Sequence, residues 1–397
     1  MIQIALCSFP LWKNTTNGSI QCFIHFVTHL QKGLEDKNRG GGNSSSGGGG
    51  NSSSGVKTIW VVLSALTLEE NNPHKANVKC LYEQQNMIYI TTPKNPDSQQ
   101  KLIDHLNSLS QHESLEMVSC DMEAGIMAHQ LQPHLRSVSR WTHLCTLHMA
   151  KNAQVLLDRH ILHNSKIVET FQTPERMILS EADAYVTVSR SELDWIGPQP
   201  KASIYHPERT WWPSAWWEKA KSDRRYPLFY LREKFPDKLL LLYVGRLTYQ
   251  KGIDLLVKIT LPSNVHLCIM SSSEFSDETL SCCHSYVKTR YESATWLGPY
   301  FGDEKIRIMS QCDGVICPSI YEPYGLVGLE SILFARTVLI ASAVDGMKDY
   351  LVEGGYIPCG TTLDTVQSAV TRFSTMALSE REEMARRAES HALKLIK

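Results

Sequence analysis

"LLLLYVGRLTYQKG", residues 239–252, opens with six consecutive apolar or aromatic residues and then places Arg246 and Lys251 between glycines. A short apolar run bounded by turn residues is the pattern of a strand covered on both faces, as in a parallel sheet. Ligands of open α/β sheets bind just outside the carboxyl ends of such strands. A guanidinium and an ammonium at that place suit an anion, most economically a phosphate or pyrophosphate. Two surface cations after a strand is the plainer alternative, and this stretch alone leaves both open.

Reading outward, the same pattern recurs. After residue 252 come VHLCIMSS, ATWLG, GVICPS and TVLIAS, with helical segments between most of them. Before it come MIQIALCSF, TIWVVLSAL, MIYITT, a stretch ending LEMVSCD, THLCTLH and AYVTVS. Strands alternating with helices argue for parallel sheets wrapped by helices. The expected fold is α/β, two Rossmann-like doubly wound domains facing across a cleft. The character of the chain changes near HPERTWWPSAWW, which divides it into residues 1–205 and 206–397. Within the first domain, GGGNSSSG occurs twice in succession over residues 40–55. With no apolar residue to bury, that insert reads as a flexible linker inside an αβ connection rather than as a domain boundary.

The totals agree with two domains, since 397 residues exceed one ordinary core. With 40 basic and 41 acidic side chains, nucleic acid and anionic membranes are not expected as partners. No run of about 18 apolar residues offers an integral membrane segment, and MIQIALCSFPLWK reads as a first strand rather than a signal peptide. The 11 cysteines are scattered without CxxC pairs, which favours neither a zinc site nor a disulfide framework. A reducing, cytoplasmic compartment is the expectation.

Residues 316–331, ICPSIYEPYGLVGLES, add a second loop after a strand. Glu322 lies in it, Gly325 stands where a helix begins, and Glu330 follows within that helix. Free N–H groups at a helix start favour negative charge, and glycine permits close approach. A carboxylate cannot hold a phosphate, but it accepts hydrogen bonds from sugar hydroxyls. Arg246, Lys251 and this helix start would together form a pyrophosphate cradle with hydroxyl acceptors beside it.

This combination resembles the nucleotide-sugar glycosyltransferases of the GT-B fold, and in detail the glycogen and starch synthases. The family's GRLxxQKG is complete as Gly245-Arg246-Leu247 and Gln250-Lys251-Gly252, and its PSxxEPxGL as Pro318-Ser319, Glu322-Pro323 and Gly325-Leu326. Two such matches in order are highly specific. Upstream, SFPLWK is similar to FPLxK, DMEAG to DWHAG and TLHM to TVHN, so the likeness spans most of the chain.

The resemblance implies a retaining hexosyltransferase that carries glucose from a nucleotide-diphosphate sugar to a glucan or other sugar acceptor. Arg246 and Lys251 are implied to neutralise the leaving diphosphate, and Glu322 to hold the sugar ring. Gly245, Tyr324, Gly325 and Leu326 belong to the same donor site, with Glu330 near the ribose. Lys13 and Gly18 are implied to approach the donor from the first domain, Asp121 to lie on the acceptor side, and His148 to face the transferring sugar. With two side-chain cations on the diphosphate, neither metal nor other cofactor is implied.

Departures from the family pattern bear on the acceptor. Its first glycine-rich loop appears as KNTTNGSIQ, with one glycine, and Met122, Glu123 and Met149 replace acceptor-side residues. A lipid, protein or small-sugar acceptor, or a weakly catalytic binding subunit, are the alternatives these raise. Ala335 and Asp345 replace glycines, and the basic C-terminal pattern ARRAESHALKLIK reads as a helix crossing back to the first domain. His25 and His29, four apart, lack a third ligand and read as structural. Trp211, Trp212, Trp216 and Trp217 read as anchors of the interdomain crossing rather than sugar-stacking rings. Asp121 could equally cap the helix that follows it.

Overall fold

The run Ile2–Cys7 is buried at every position, as a strand must be when helices cover both faces of its sheet. It is β1, the centre of the first of two units. The computed structural model describes residues 2–7, 26–27, 29–30, 57–63, 87–90, 96–109, 113–206, 229–271, 294–297 and 302–396. The Gly/Ser/Asn insert and the tryptophan cluster lie outside those residues, as does His25.

In the first unit, β1 pairs in parallel with β2 (Lys57–Leu63) on one side and β4 (Leu115–Cys120) on the other. With β3 (Met87–Ile90), β5 (Val138–Cys145), β6 (Ala184–Thr187) and β7 (Ala202–Ile204), the sheet order is β3-β2-β1-β4-β5-β6-β7, and every pairing is parallel. Its helices include α1 (Pro96–Leu109), α2 (Asp121–Leu131), the start of α3 (Met149–Asp158) and α4 (Lys166–Glu181). Trp141 and Tyr185 fill the core with Ile4, Leu6 and Leu106. The Trp141 indole N–H donates to Ser119 Oγ at 2.8 Å, so the buried ring carries no orphaned donor.

The second unit repeats the scheme. Its strands are β8 (Leu239–Val244), β9 (Val265–Met270), β10 (Ala294–Trp296), β11 (Gly314–Cys317), β12 (Val338–Ala341) and β13 (Ile357–Pro358). They form an all-parallel sheet in the order β10-β9-β8-β11-β12-β13. Phe373, from α10 (Leu363–Thr375), shares the buried core with Leu241, Ile316 and Ile340. Each such side chain, fully buried, contributes roughly 1.5–3 kcal/mol. Residues 152–165 and 189–192, from the first half of the chain, group with this unit.

Counted within their own units, the orders run 3-2-1-4-5-6-7 and 3-2-1-4-5-6, the doubly wound arrangement whose strand order reverses between the first and fourth strands. The expected strands are all present. Beyond them stand β7 and β13, edge strands of three and two residues, too short to show a period. The C-terminal helix α11 (Leu378–Ile396) is part of the second unit and buries Ala388 and Ala392 there. Its Glu389 carboxylate forms an ion pair with the Arg336 guanidinium, 2.8 Å apart.

Candidate active site

The reversal point of the second sheet lies between β8 and β11, and the two matched motifs are the loops that leave those strands. After β8 the chain makes one 3-10 turn, Tyr249–Lys251, and ends it on Gly252 at φ 68°. A Cβ at residue 252 would overlap the Pro318 carbonyl of the neighbouring loop, so glycine is required both for the turn and for the approach. Gln250 then joins the loops. Its carbonyl accepts the Ile320 N–H at 2.9 Å, and its Nε2 donates to the Tyr321 carbonyl at 3.3 Å. Three consecutive residues, Gln250-Lys251-Gly252, therefore dock one loop on the other.

Across that seam the Lys251 ammonium meets Glu322 Oε2 at 2.5 Å, and Ser319 Oγ donates to the same oxygen at 3.2 Å. Lys251, Ser319 and Glu322 line a recess together with Gly245, Cys317, Gly325 and Gly328. Arg246 and Glu330 are not among its lining residues. Arg246 is exposed, and its Nη2 donates to Gln250 Oε1 at 3.2 Å. The recess thus opens on a carboxylate and an ammonium that neutralise each other.

Gly325, at φ 89°, begins α9 (Leu326–Glu330), and its carbonyl accepts from Tyr350 Oη at 2.7 Å. The Tyr324 ring packs on that of Tyr350, centroids 5.7 Å apart. The helix continues as a π-helical turn, Ser331–Ala335, of a kind frequent at functional sites. Glu330, at the junction, is 2% exposed and takes the Lys305 ammonium on Oε1 at 2.7 Å. The left-handed residue that closes this segment is Arg336 at φ 53°, one position after the Ala335 that stands where the family has glycine.

In the first unit the reversal point lies between β1 and β4, and Asp121 is the first residue after β4. It adopts φ 61°, a left-handed conformation that costs a non-glycine residue about 1–3 kcal/mol. Its Oδ1 accepts both the N–H of Thr146 at 2.9 Å and its hydroxyl at 2.8 Å. Burial nevertheless raises its pKa to about 6, against the lowering effect of these bonds and of nearby His148. No side-chain cap to the helix backbone is formed at the start of α2, whose N-cap is Cys120. His148 is fully buried, its Nε2 3.2 Å from Tyr185 Oη. Met149 begins α3, where its N–H donates to Glu175 Oε1 at 2.6 Å. Lys13 and Gly18 lie outside the described residues.

Three participants were not singled out by sequence. Ser319 is inside a matched motif but carried no assigned role. Asp345, which appeared only as a lost glycine, accepts the Glu322 N–H on Oδ2 at 3.2 Å and the Ser191 hydroxyl on Oδ1 at 3.1 Å, while keeping φ at 44°. It replaces the glycine's conformation with one that aspartate tolerates, and adds a brace for Glu322. Lys305 had no motif around it.

Residues 232–392 match the family described as glycosyl transferases group 1. An uncharacterized glycosyltransferase of Methanocaldococcus jannaschii is 35% identical over 119 residues, 29% of this chain and 30% of its own length. Alpha-maltose-1-phosphate synthase of Mycobacterium tuberculosis is 26% identical over 190 residues, 45% of this chain and 49% of its own. The matched stretches thus span half or less of these relatives. Sucrose-phosphate synthase from Thermosynechococcus elongatus superposes with a TM-score of 0.68 at 17% identity, covering 100% of this chain and 95% of that one. HepE of Anabaena, in complex with UDP-glucose, gives 0.65 at 14% identity over 99% and 94%. The chain has the GT-B fold, and its residues 232–392 match the model of the group 1 glycosyl transferases.

Proposed function

We propose that this protein is a retaining glycosyltransferase that moves a hexose, glucose first among them, from a nucleoside-diphosphate sugar to an acceptor hydroxyl. Elongation of an α-glucan is the reading its relatives favour. The observation that carries the proposal is the Lys251–Glu322 pair in the recess at the reversal point of the second sheet. Without ligand the two charges satisfy each other. An entering diphosphate takes the ammonium, together with the exposed Arg246, and frees Glu322 to accept from the sugar's hydroxyls. The bond from the anomeric carbon to the phosphate oxygen then breaks. The leaving phosphate takes the acceptor hydroxyl's proton, and the acceptor oxygen bonds the anomeric carbon on the same face. Fixed charges aimed at the developing phosphate charge supply the catalysis, with no bound metal in the scheme. Asp121 serves the acceptor side, and His148 faces the transferring sugar.

The test is nucleoside-diphosphate release from UDP-, ADP- and GDP-sugars, with and without glycogen, in a chelator. Release that depends on glycogen and falls about 10²–10³-fold in Lys251→Ala supports the proposal. Donor binding without release on any acceptor supports a weakly catalytic subunit instead. A second acceptor class is favoured by Met122, Glu123 and Met149, and release with lipid, protein or small-sugar acceptors but not glycogen would establish it. No binding of any nucleotide sugar ends the reading.

A further inference from the structure

Glu330 poses a problem that its one ion pair does not solve. The side chain is 3% exposed, and Lys305, on α8 (Gly302–Met309), engages Oε1 at 2.7 Å. Oε2 is buried and has no hydrogen-bond partner among the described residues. A buried carboxylate oxygen left unpaired costs free energy comparable to a lost charged hydrogen bond. Such a group persists where something else fills it, and a carboxylate oxygen accepts two hydrogens. A phosphate cannot be that partner, because it carries the same charge. A neutral pair of hydroxyls can.

The position favours a ligand of the neighbouring recess. Val327 and Gly328 line that recess, and Glu330 lies three residues after Val327 on the same short helix, hence on its face. We propose that Lys305 is a positioning residue, which holds Oε1 of Glu330 so that Oε2 is presented to the vicinal hydroxyls of the donor's ribose. The inference rests on the nucleotide-sugar reading above and deepens it by assigning a residue that no motif contains. Lys305 keeps 20% of its side chain exposed, so the ammonium that faces the buried carboxylate retains contact with solvent. It touches no reacting atom, and its effect is on binding that is equal in ground and transition states.

Isothermal titration of the full chain with UDP, ADP and GDP, and with their 2′-deoxy counterparts, separates the possibilities. Wild type should prefer the ribonucleotide of its own base by about tenfold or more. Lys305→Met should erase most of that preference, weakening the ribonucleotide while changing its 2′-deoxy form less than about twofold, and should raise the donor KM with kcat little altered. Because Lys305→Met strands a buried charge, Lys305→Arg is measured beside it and should retain part of the preference. Equal loss for both nucleotides in Lys305→Met, or an undiminished preference, overturns the positioning role while leaving the nucleotide-sugar reading intact. Wild type that binds no nucleoside diphosphate overturns both.

Discussion

At Asp121 two costs fall on one residue: a left-handed backbone and a carboxylate whose pKa burial raises to about 6. The sign follows from the shift. A carboxyl with a raised folded pKa contributes stability below its unfolded value near 3.8, and that contribution is lost as pH rises through about 6. At pH 7–8 the ionised side chain therefore destabilises the first unit. Asparagine tolerates the same backbone, can accept both Thr146 hydrogen bonds and carries no charge. Asp121→Asn should raise stability by about 1–3 kcal/mol at pH 8 and by little at pH 4, measured by denaturant unfolding. Under the proposed acceptor-side role of Asp121, transferase activity should fall in the same variant. A destabilised Asp121→Asn would show that the carboxylate is structural.

Among the elements, the seam between the loops after β8 and β11 decides whether the recess exists. Gly252 has the left-handed φ and lies against the Pro318 carbonyl. Gly252→Ala should cost about 2–4 kcal/mol in stability, since backbone rather than a flexible side chain must move. It should also weaken donor binding more than a surface substitution of equal stability cost, because the loop that moves carries Glu322. A variant with wild-type unfolding and binding would mean that the two loops are not docked as described. The spacing of Gln250, Lys251 and Gly252 was legible in sequence as a motif. Its reason was not, because the partners at Pro318, Ile320, Tyr321 and Glu322 are about 70 residues away.

For the molecule as a whole, each unit buries a histidine that folding keeps neutral. His143, in the first, has its pKa lowered to about 3 by burial, with a smaller effect of His148. His266, in the second, stacks on Phe235 and is lowered to about 4, chiefly by burial and then by Lys238 and Lys234. For groups with a lowered folded pKa, the sign is that the unfolded chain gains protons first. Their contribution is complete above about 6.5 and is lost as pH falls toward 4 and 3. Calorimetric scans should show melting temperatures falling between pH 6.5 and 4, with Asp121 working weakly the other way. His266→Gln should flatten that slope for the second unit. An unchanged slope would place the acid sensitivity elsewhere.

The sequence alone determined the strand succession, the two-unit plan and the matched loops. Apolar runs and local turn residues are sufficient for these, since they depend on neighbours in the chain. It also identified Arg246, Lys251, Glu322 and Glu330 as candidates, through spacing that a family shares. Tertiary structure alone decided which of them meet. It paired Lys251 with Glu322 and Glu330 with Lys305, and turned Asp345 from a missing glycine into a brace. It also left the cap reading of Asp121 unfulfilled and turned that carboxylate to Thr146 instead. Such contacts join residues on the loops and helices that follow different strands of a parallel sheet, which are brought side by side only when the crossover helices have packed.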